Sequence, residues 1–393
     1  AGRSELYDVP MTAWVRPPRL RTTDAEEGER RATWLELFFD LIFVVAIAQL
    51  SHELVDDHSL GGFARFGGLF VPVYVAWQGF SAYADRFDTD DLAFRLKMFV
   101  AMLAIAALAI LIPDVWDGKR TSGFALAYVA LRVIMLGLYH RAYRSAPAAR
   151  PLIRRYGAGY SLAVGIWLVS VAVPEPARYV LWGIALAVDL SLPPLSTRLH
   201  RTIPTHGSHL PERWGLFTII AFGESVVAVA LGTSATEFEV SSAVAAALGF
   251  LAVACLWWVY FDKHEGLTVE GTSPAMVIYS YAHLPLLVGL AAVSAGISLL
   301  LKEADRDHLT TGATVALAGG SALYLLALLI AHSVTRRTAW RAVVRARLVT
   351  IAGCGALVAV AHLLPPVATV AILLLLLAVL VAAEGTFVRS EAA

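Results

Sequence analysis

Charge is what this sequence has least of. Charged residues make up 16% of the 393-residue chain, against about 25% in a soluble globular protein, too few to coat a soluble core. Lysine occurs only as Lys97, Lys119, Lys263 and Lys302. Of these, Lys97 alone falls in an apolar run, near its end, which excludes a retinal-type Schiff base deep in a helix. Cysteine is confined to Cys255 and Cys354. Both sit inside apolar runs, which excludes a disulfide framework and reads as two buried thiols. The 31 Lys+Arg match the 31 Asp+Glu, so no excess of positive charge points to a nucleic-acid partner. There is also no phosphate-binding glycine loop and no strong transition-metal motif.

What the chain has instead is apolar length. Hydrophobic residues make up 58% and the mean hydropathy is +0.67. Several apolar runs between residues 34 and 388 exceed the roughly 18–20 residues that cross a bilayer. The sequence predicts an all-α polytopic integral membrane protein. About twelve transmembrane helices are expected, near 34–54, 63–83, 92–112, 124–143, 152–173, 177–195, 213–232, 240–261, 275–300, 312–332, 343–363 and 366–387. Residues 1–33 are too polar for a signal peptide and read as a mobile cytoplasmic tail. Lys and Arg concentrate in that tail and in the even-to-odd loops, which places both termini in the cytoplasm. The clusters Arg141-Arg144-Arg150-Arg154-Arg155 and Arg336-Arg337-Arg341-Arg345-Arg347 read as lipid-headgroup anchors.

An internal repeat divides the chain. Phe43-Val44-Val45-Ala46-Ile47-Ala48 resembles Ser225-Val226-Val227-Ala228-Val229-Ala230, and a carboxylate, Asp40 or Glu224, lies just upstream of each. Tyr83-Ala84-Asp85-Arg86 likewise resembles Tyr260-Phe261-Asp262-Lys263. Offsets near 180 residues predict a first six-helix repeat over 34–195, a cytoplasmic linker over 196–212 and a second six-helix repeat over 213–388. Six helices per half make the repeats parallel, and transporters often place their site between such halves.

Ionisable groups inside the membrane are the first candidates for function, because a charge at the bilayer centre costs about 2.5–3.5 kcal/mol. Glu36 and Asp40 lie four residues apart on one helix face, Asp40 a turn deeper. Glu224, eleven residues past Arg213, lies roughly 16 Å into the membrane. Arg132 and Asp189 are opposite charges at similar depth and are expected to form a structural ion pair. His283 stands before Pro285, where a broken helix could line a cavity. Packing is the plainer role for it and proton relay the sharper one. His52, His140, His332 and His362 fall near helix ends and need no role.

The loop after the second helix reads Asp85-Arg86-Phe87-Asp88-Thr89-Asp90-Asp91. Capping of the third helix by Thr89 and Asp90 is one explanation. The functional alternatives are a proton donor at Asp88, Asp90 and Asp91, or a divalent site. In the second case Asp85, Asp88 and Asp262 would hold Mg²⁺ with a diphosphate, with His264, Glu265 and Glu270 nearby. Aromatics gather at Trp77, Phe80, Tyr83, Trp257, Trp258, Tyr260 and Phe261. They read first as an interfacial belt and second as a cavity wall.

Several of these strings carry a family resemblance. Trp34-Leu35-Glu36-Leu37-Phe38-Phe39-Asp40-Leu41-Ile42-Phe43-Val44, Arg86-Phe87-Asp88-Thr89-Asp90-Asp91, Glu212-Arg213-Trp214-Gly215-Leu216-Phe217, Gly223-Glu224-Ser225 and Tyr281-Ala282-His283-Leu284-Pro285 together resemble the bacterial low temperature requirement A family, over roughly residues 30–385. The resemblance implies a polytopic inner-membrane protein but supplies no reaction. It selects the acids Glu36, Asp40, Asp88, Asp90, Asp91, Glu212 and Glu224. Trp214 stands where a smaller or more polar residue is expected.

Three functions follow. The leading one is a proton-coupled secondary transporter or ion permease, with Asp40 and Glu224 titrating and His283 as a relay. The second is an intramembrane enzyme on an isoprenoid or other lipid, using the Asp88-Thr89-Asp90-Asp91 string as a proton donor or with Mg²⁺. The third is a non-catalytic membrane scaffold or sensor. The expected partners are the lipid bilayer and a small-molecule, ion or lipid substrate.

Overall fold

The computed structural model describes residues 16–21, 33–200, 209–234, 240–262, 273–335 and 340–392. Helix dominates, because a backbone in hydrocarbon must satisfy its own N–H and C=O groups. The long helices are α1 (Trp34–Asp56), α2 (Leu60–Arg86), α3 (Leu92–Trp116), α4 (Thr121–Ser145), α5 (Arg150–Val171), α6 (Ala177–Leu195), α7 (His209–Ser234), α8 (Val240–Phe261), α9 (Ser273–Lys302), α10 (Thr311–Ser333), α11 (Trp340–Val360) and α12 (Pro366–Ala392). Among the described residues, ten of these helices are long and apolar enough to cross a membrane; α5 and α6 are not among the ten. The chain is therefore a multi-pass membrane protein. The expected linker contains a one-turn helix at Thr197–His200, and α7 begins at His209.

The neighbours of each helix recur. α1 packs on α2 and α3, α3 on α4, α4 on α5 and α5 on α6, while α2 also meets α4 and α6. In the same way α7 packs on α8 and α9, α9 on α10, α10 on α11 and α11 on α12. α8 also meets α12 and takes a hydrogen bond from Tyr324 of α10 at the carbonyl of Leu256, 3.2 Å. The two series join where α7 and α9 lie against α1 and α2.

α9 is the most buried span, and its glycines explain how close its neighbour comes. A Cβ on Gly296 would lie 2.6 Å from the backbone nitrogen of Leu317, and one on Gly289 2.7 Å from the carbonyl oxygen of Gly320. Small residues let membrane helices approach backbone to backbone. At that contact α10 widens into a π-helical turn, Val315–Gly319. Pro285 does not break α9, which runs unbroken through His283. The broken helix expected there is corrected: a proline is tolerated where neighbouring helices support the backbone.

Part of the supposed mobile tail is held in place. Arg19–Leu20 (β1) pairs antiparallel with Phe87–Asp88 (β2), the segment that follows α2. Arg21 donates its backbone N–H to the carbonyl of Arg86, 3.0 Å.

Candidate functional site

The site begins at the start of α1. Thr33 caps the helix, accepting from the N–H of Glu36, while the Glu36 carboxylate accepts from the N–H of Thr33. This capping box fixes the first turn and points Glu36 inward, where it is buried. One turn on, Asp40 projects from the same face and is 1% exposed.

Their counter-charge comes from the second half of the chain. Arg213, in the first turns of α7, is also 1% exposed. Its Nη1 lies 3.2 Å from Glu36 Oε2 and its Nη2 3.1 Å from Asp40 Oδ1. Asp40 Oδ1 also accepts from Trp77 Nε1 at 2.7 Å. Two carboxylates, one guanidinium and an indole N–H thus converge where α1, α2 and α7 meet. Buried charges persist only when paired: Asp40 accepts hydrogen bonds from Arg213 Nη2 and Trp77 Nε1, whereas Arg213 Nη1 meets Glu36 as an ion pair without a hydrogen bond, and Arg213 Nε has no hydrogen-bond partner among the described residues.

From Trp77 an aromatic and hydroxyl chain runs onward. The Trp77 ring stacks on Phe217 at 4.1 Å and meets Trp214 edge-on at 5.2 Å. Trp214 Nε1 donates to the Tyr74 hydroxyl at 3.2 Å, which in turn donates to the carbonyl of Ser280 on α9. Trp214 also faces His283, with ring centres 6.1 Å apart. His283 is fully buried, with Nδ1 2.8 Å from the Tyr279 carbonyl and Nε2 3.0 Å from the Tyr260 hydroxyl. Carbonyls only accept, so the Nδ1 contact requires the proton on Nδ1 and makes Nε2 the acceptor for Tyr260 in the neutral ring. The unexpected Trp214 is therefore the hinge of the network. Trp77, Phe80, Tyr83 and Tyr260 are buried rather than interfacial, whereas Trp257 and Trp258 are exposed as a belt requires.

Glu224 lies three turns further along α7 and does not join this cluster. It is mostly buried and meets no hydrogen-bond or ion-pair partner among the described residues. Its neighbour Ser225 ties α7 to α9 through a 2.7 Å contact with Ser294.

Two other buried ion pairs stand apart. Arg132 Nη2 meets Asp189 Oδ2 at 2.8 Å, and Tyr128 bonds both partners. That is the expected structural pair. Arg347 of α11 pairs with Glu384 of α12 at 2.7 Å and reaches His332 Nδ1 at 3.0 Å. This overturns one expectation: Arg347 is fully buried rather than a headgroup anchor.

The acidic loop is held by arginines. Asp88 pairs with Arg21 at 2.9 Å and Asp90 with Arg95 at 2.7 Å. Asp91, and neither Thr89 nor Asp90, caps α3, accepting from the N–H of Phe94 at 2.8 Å. Asp91 also takes Arg141, which is thereby tied to the loop, and the N–H of Arg16 at 2.6 Å. The bond from Arg95 holds Asp90 below the usual carboxylate range. Burial would raise Asp91, but the bonds from Arg141, Phe94 and Arg16 outweigh it and hold it low. Asp85 is fully buried. Among the described residues no three His, Cys, Asp or Glu side chains converge as a metal site. Asp262 is described, whereas His264, Glu265 and Glu270 lie outside the described residues.

The Arg213 motif at the mouth of α7 and the Glu36–Asp40 motif of α1 sit in a stretch that matches a known family. The model of the bacterial low temperature requirement A proteins matches residues 31–382. The chain belongs to this family. It is also similar to an uncharacterized protein, RA0937, of Rhizobium meliloti (strain 1021), with 30% identity over 303 residues, 72% of this chain and 71% of that one. The family match spans all three buried ion clusters except Glu384. Arg213 is the functional candidate that sequence reasoning missed. The signal was available: it is the one arginine at the start of α7, at the depth where two unpaired acids enter α1.

Proposed function

We propose that this low temperature requirement A protein is a proton-coupled secondary transporter or ion permease of the bacterial cytoplasmic membrane. Twelve spans form two parallel six-helix repeats, with both termini in the cytoplasm. The observation that carries the reading is Arg213, a buried cation of the second half held between Glu36 and Asp40 of the first. An ionisable cluster inside a membrane bundle marks a substrate or ion path by default, and this one sits where the two helix series meet.

The recurring neighbour pattern of α1–α6 and α7–α12 supports the repeat. α5 and α6 have 22 and 19 residues, long enough to cross. Their low apolarity comes from arginines at one end of α5 and from Asp189, which Arg132 neutralises. In this reading Asp40 and Glu224 exchange protons, and Arg213 competes with the proton for Asp40. The Trp77–Trp214–His283–Tyr260 network links that exchange to α8 and α9. What weighs against a diphosphate site on the acidic loop is that Asp88, Asp90 and Asp91 are already held by Arg21, Arg95 and Arg141.

The test is proton flux into proteoliposomes under a potassium diffusion potential, read with an internal pH dye. Flux present in the wild type and lost in both Asp40→Asn and Glu224→Gln, with folding retained, is the expected result. Flux unchanged in both variants overturns the assignment.

A further inference from the structure

At the end of the bundle opposite Arg213, the loop from α1 to α2 meets the loop from α9 to α10, so the two helix series are joined there as well. His58 of the first loop is half-buried. Thr310 of the second caps α10, accepting from the N–H of Ala313 at 3.3 Å. The approach is close because Gly312 has no side chain: a Cβ there would overlap the carbonyl oxygen and the ring Cδ2 of His58.

A chain of polar atoms crosses this contact. His58 Nδ1 lies 3.2 Å from the Val55 carbonyl oxygen, and Nε2 lies 3.4 Å from the Thr310 hydroxyl. That hydroxyl is 3.0 Å from Oε1 of the buried Glu303, whose Oε2 accepts from the Thr310 N–H at 2.8 Å.

The chain has room for one proton more than a neutral histidine and an ionised carboxylate supply. A carbonyl only accepts, so Nδ1 carries a proton, and in a neutral ring Nε2 is then a bare acceptor. The hydroxyl has a single proton to give. Given to Glu303, it leaves lone pairs facing each other between Nε2 and Oγ1. Given to Nε2, it leaves them facing between Oγ1 and the carboxylate. One added proton closes both gaps, as an imidazolium donating to Oγ1 or as a protonated Glu303 donating to Oγ1 while the hydroxyl donates to Nε2.

The charges nearby are already engaged. Asp57 pairs with Arg65, Asp56 with Lys302, and Glu303 with Arg306 at 3.8 Å. Asp57, held below the usual carboxylate range chiefly by the Ser59 hydroxyl, stays ionised beside His58. Glu53, a turn back on α1, is half-buried, and Asp305, Asp307 and His308 are exposed.

We propose that His58, Thr310 and Glu303 form a single-proton site that latches the two helix series together at this end, closed with the proton bound and released when it leaves. Histidine changes charge between about pH 5 and 8, so the latch is closed in mild acid and open in mild alkali. The site requires no transport, and its test reads none, so its failure and that of the transporter reading are separate results.

The experiment is hydrogen exchange of the full chain in nanodiscs, read by mass spectrometry over 303–314 at pH 5.5 and 8.5 and corrected for the intrinsic pH dependence of amide exchange. In the wild type the segment is expected to exchange roughly tenfold faster at the higher pH, the effect of about one lost hydrogen bond on local opening. His58→Ala has no latch and exchanges at the fast rate at both values. Glu303→Gln puts a carboxamide where the protonated acid would stand, its oxygen accepting from the Thr310 N–H and its NH2 donating to Oγ1, and so keeps the slow rate at pH 8.5. Three results overturn the proposal: a wild-type rate that does not change with pH, a wild-type pH response retained in His58→Ala, or fast exchange of Glu303→Gln at pH 8.5. The wild type and Glu303→Gln decide the matter even where His58→Ala fails to fold.

Discussion

Arg213 Nη2 stands 3.1 Å from Asp40 Oδ1 across the α1–α7 contact, and Trp77 Nε1 donates to the same oxygen at 2.7 Å. One carboxylate oxygen thus couples three helices. Without the guanidinium, Asp40 would be a buried anion that has lost its counter-charge.

Arg213→Gln leaves Glu36 and Asp40 facing each other without a cation. Removing one partner of a buried pair costs about 3–5 kcal/mol. The variant is expected to melt well below wild type in detergent, and Arg213→Gln combined with Asp40→Asn is expected to recover part of that loss. A double variant no more stable than the single would show that the two residues are not coupled.

The Arg347–Glu384 pair is expected to behave differently from a functional site. Replacing both partners with packed apolar side chains is often neutral or stabilising. Arg347→Met with Glu384→Leu should therefore keep stability and proton flux, whereas Arg347→Met alone should destabilise by about 3–5 kcal/mol. Thermal melts of the three proteins read the difference.

On the acidic loop, position decides the outcome. Asp91→Ala removes the cap of α3 as well as the Arg141 contact, and a lost cap alone costs about 1 kcal/mol. Asp90→Ala removes a pair whose side chains are both more than half exposed, and such a pair contributes well under 1 kcal/mol, about 0.2–0.5. Chemical unfolding of the two variants separates them. Equal losses would contradict the structural role given to Asp91.

His200 provides a pH signature outside the spans. Burial, reinforced by the nearby Arg86, lowers it from 6.5 to about 3, and its ring faces the Tyr156 hydroxyl at 3.2 Å. The folded state holds His200 neutral, so the unfolded chain binds the extra proton. Stability is complete above pH 6.5 and falls as pH drops from there towards 3, by about 1.4 kcal/mol per unit. Melting temperatures taken between pH 7.5 and 5 should show a steeper fall in wild type than in His200→Gln. Parallel curves would contradict this placement.

Much of the helix order was legible because hydropathy marks most helices: α8 begins and ends where its apolar run does. The Arg132–Asp189 pair was legible from depth alone, since a lone charge in hydrocarbon demands a partner. What the sequence hid was long-range pairing. Glu36 and Asp40 lie over 170 residues from Arg213, and nothing local announces that α7 returns to α1. Arg347 was misread because it stands in a run of arginines, and only the α11–α12 contact turns it inward to Glu384. The cap at Asp91 was displaced by one residue, a choice that rests on φ and ψ rather than on composition. Trp77 looked like a belt residue because its neighbours do; its burial follows from Asp40, which needs an N–H donor.

If the protein works as the proposed secondary transporter, the path between its halves opens alternately to the two sides of the membrane. The direct measurement is labelling of Ser225→Cys, beside Glu224, by a membrane-impermeant maleimide in right-side-out and inside-out vesicles, with Cys255 and Cys354 replaced by alanine. The expected result is labelling from one face that transfers to the other when the imposed pH gradient is reversed, a transfer lost in Asp40→Asn. Protection from both faces under every gradient would contradict it.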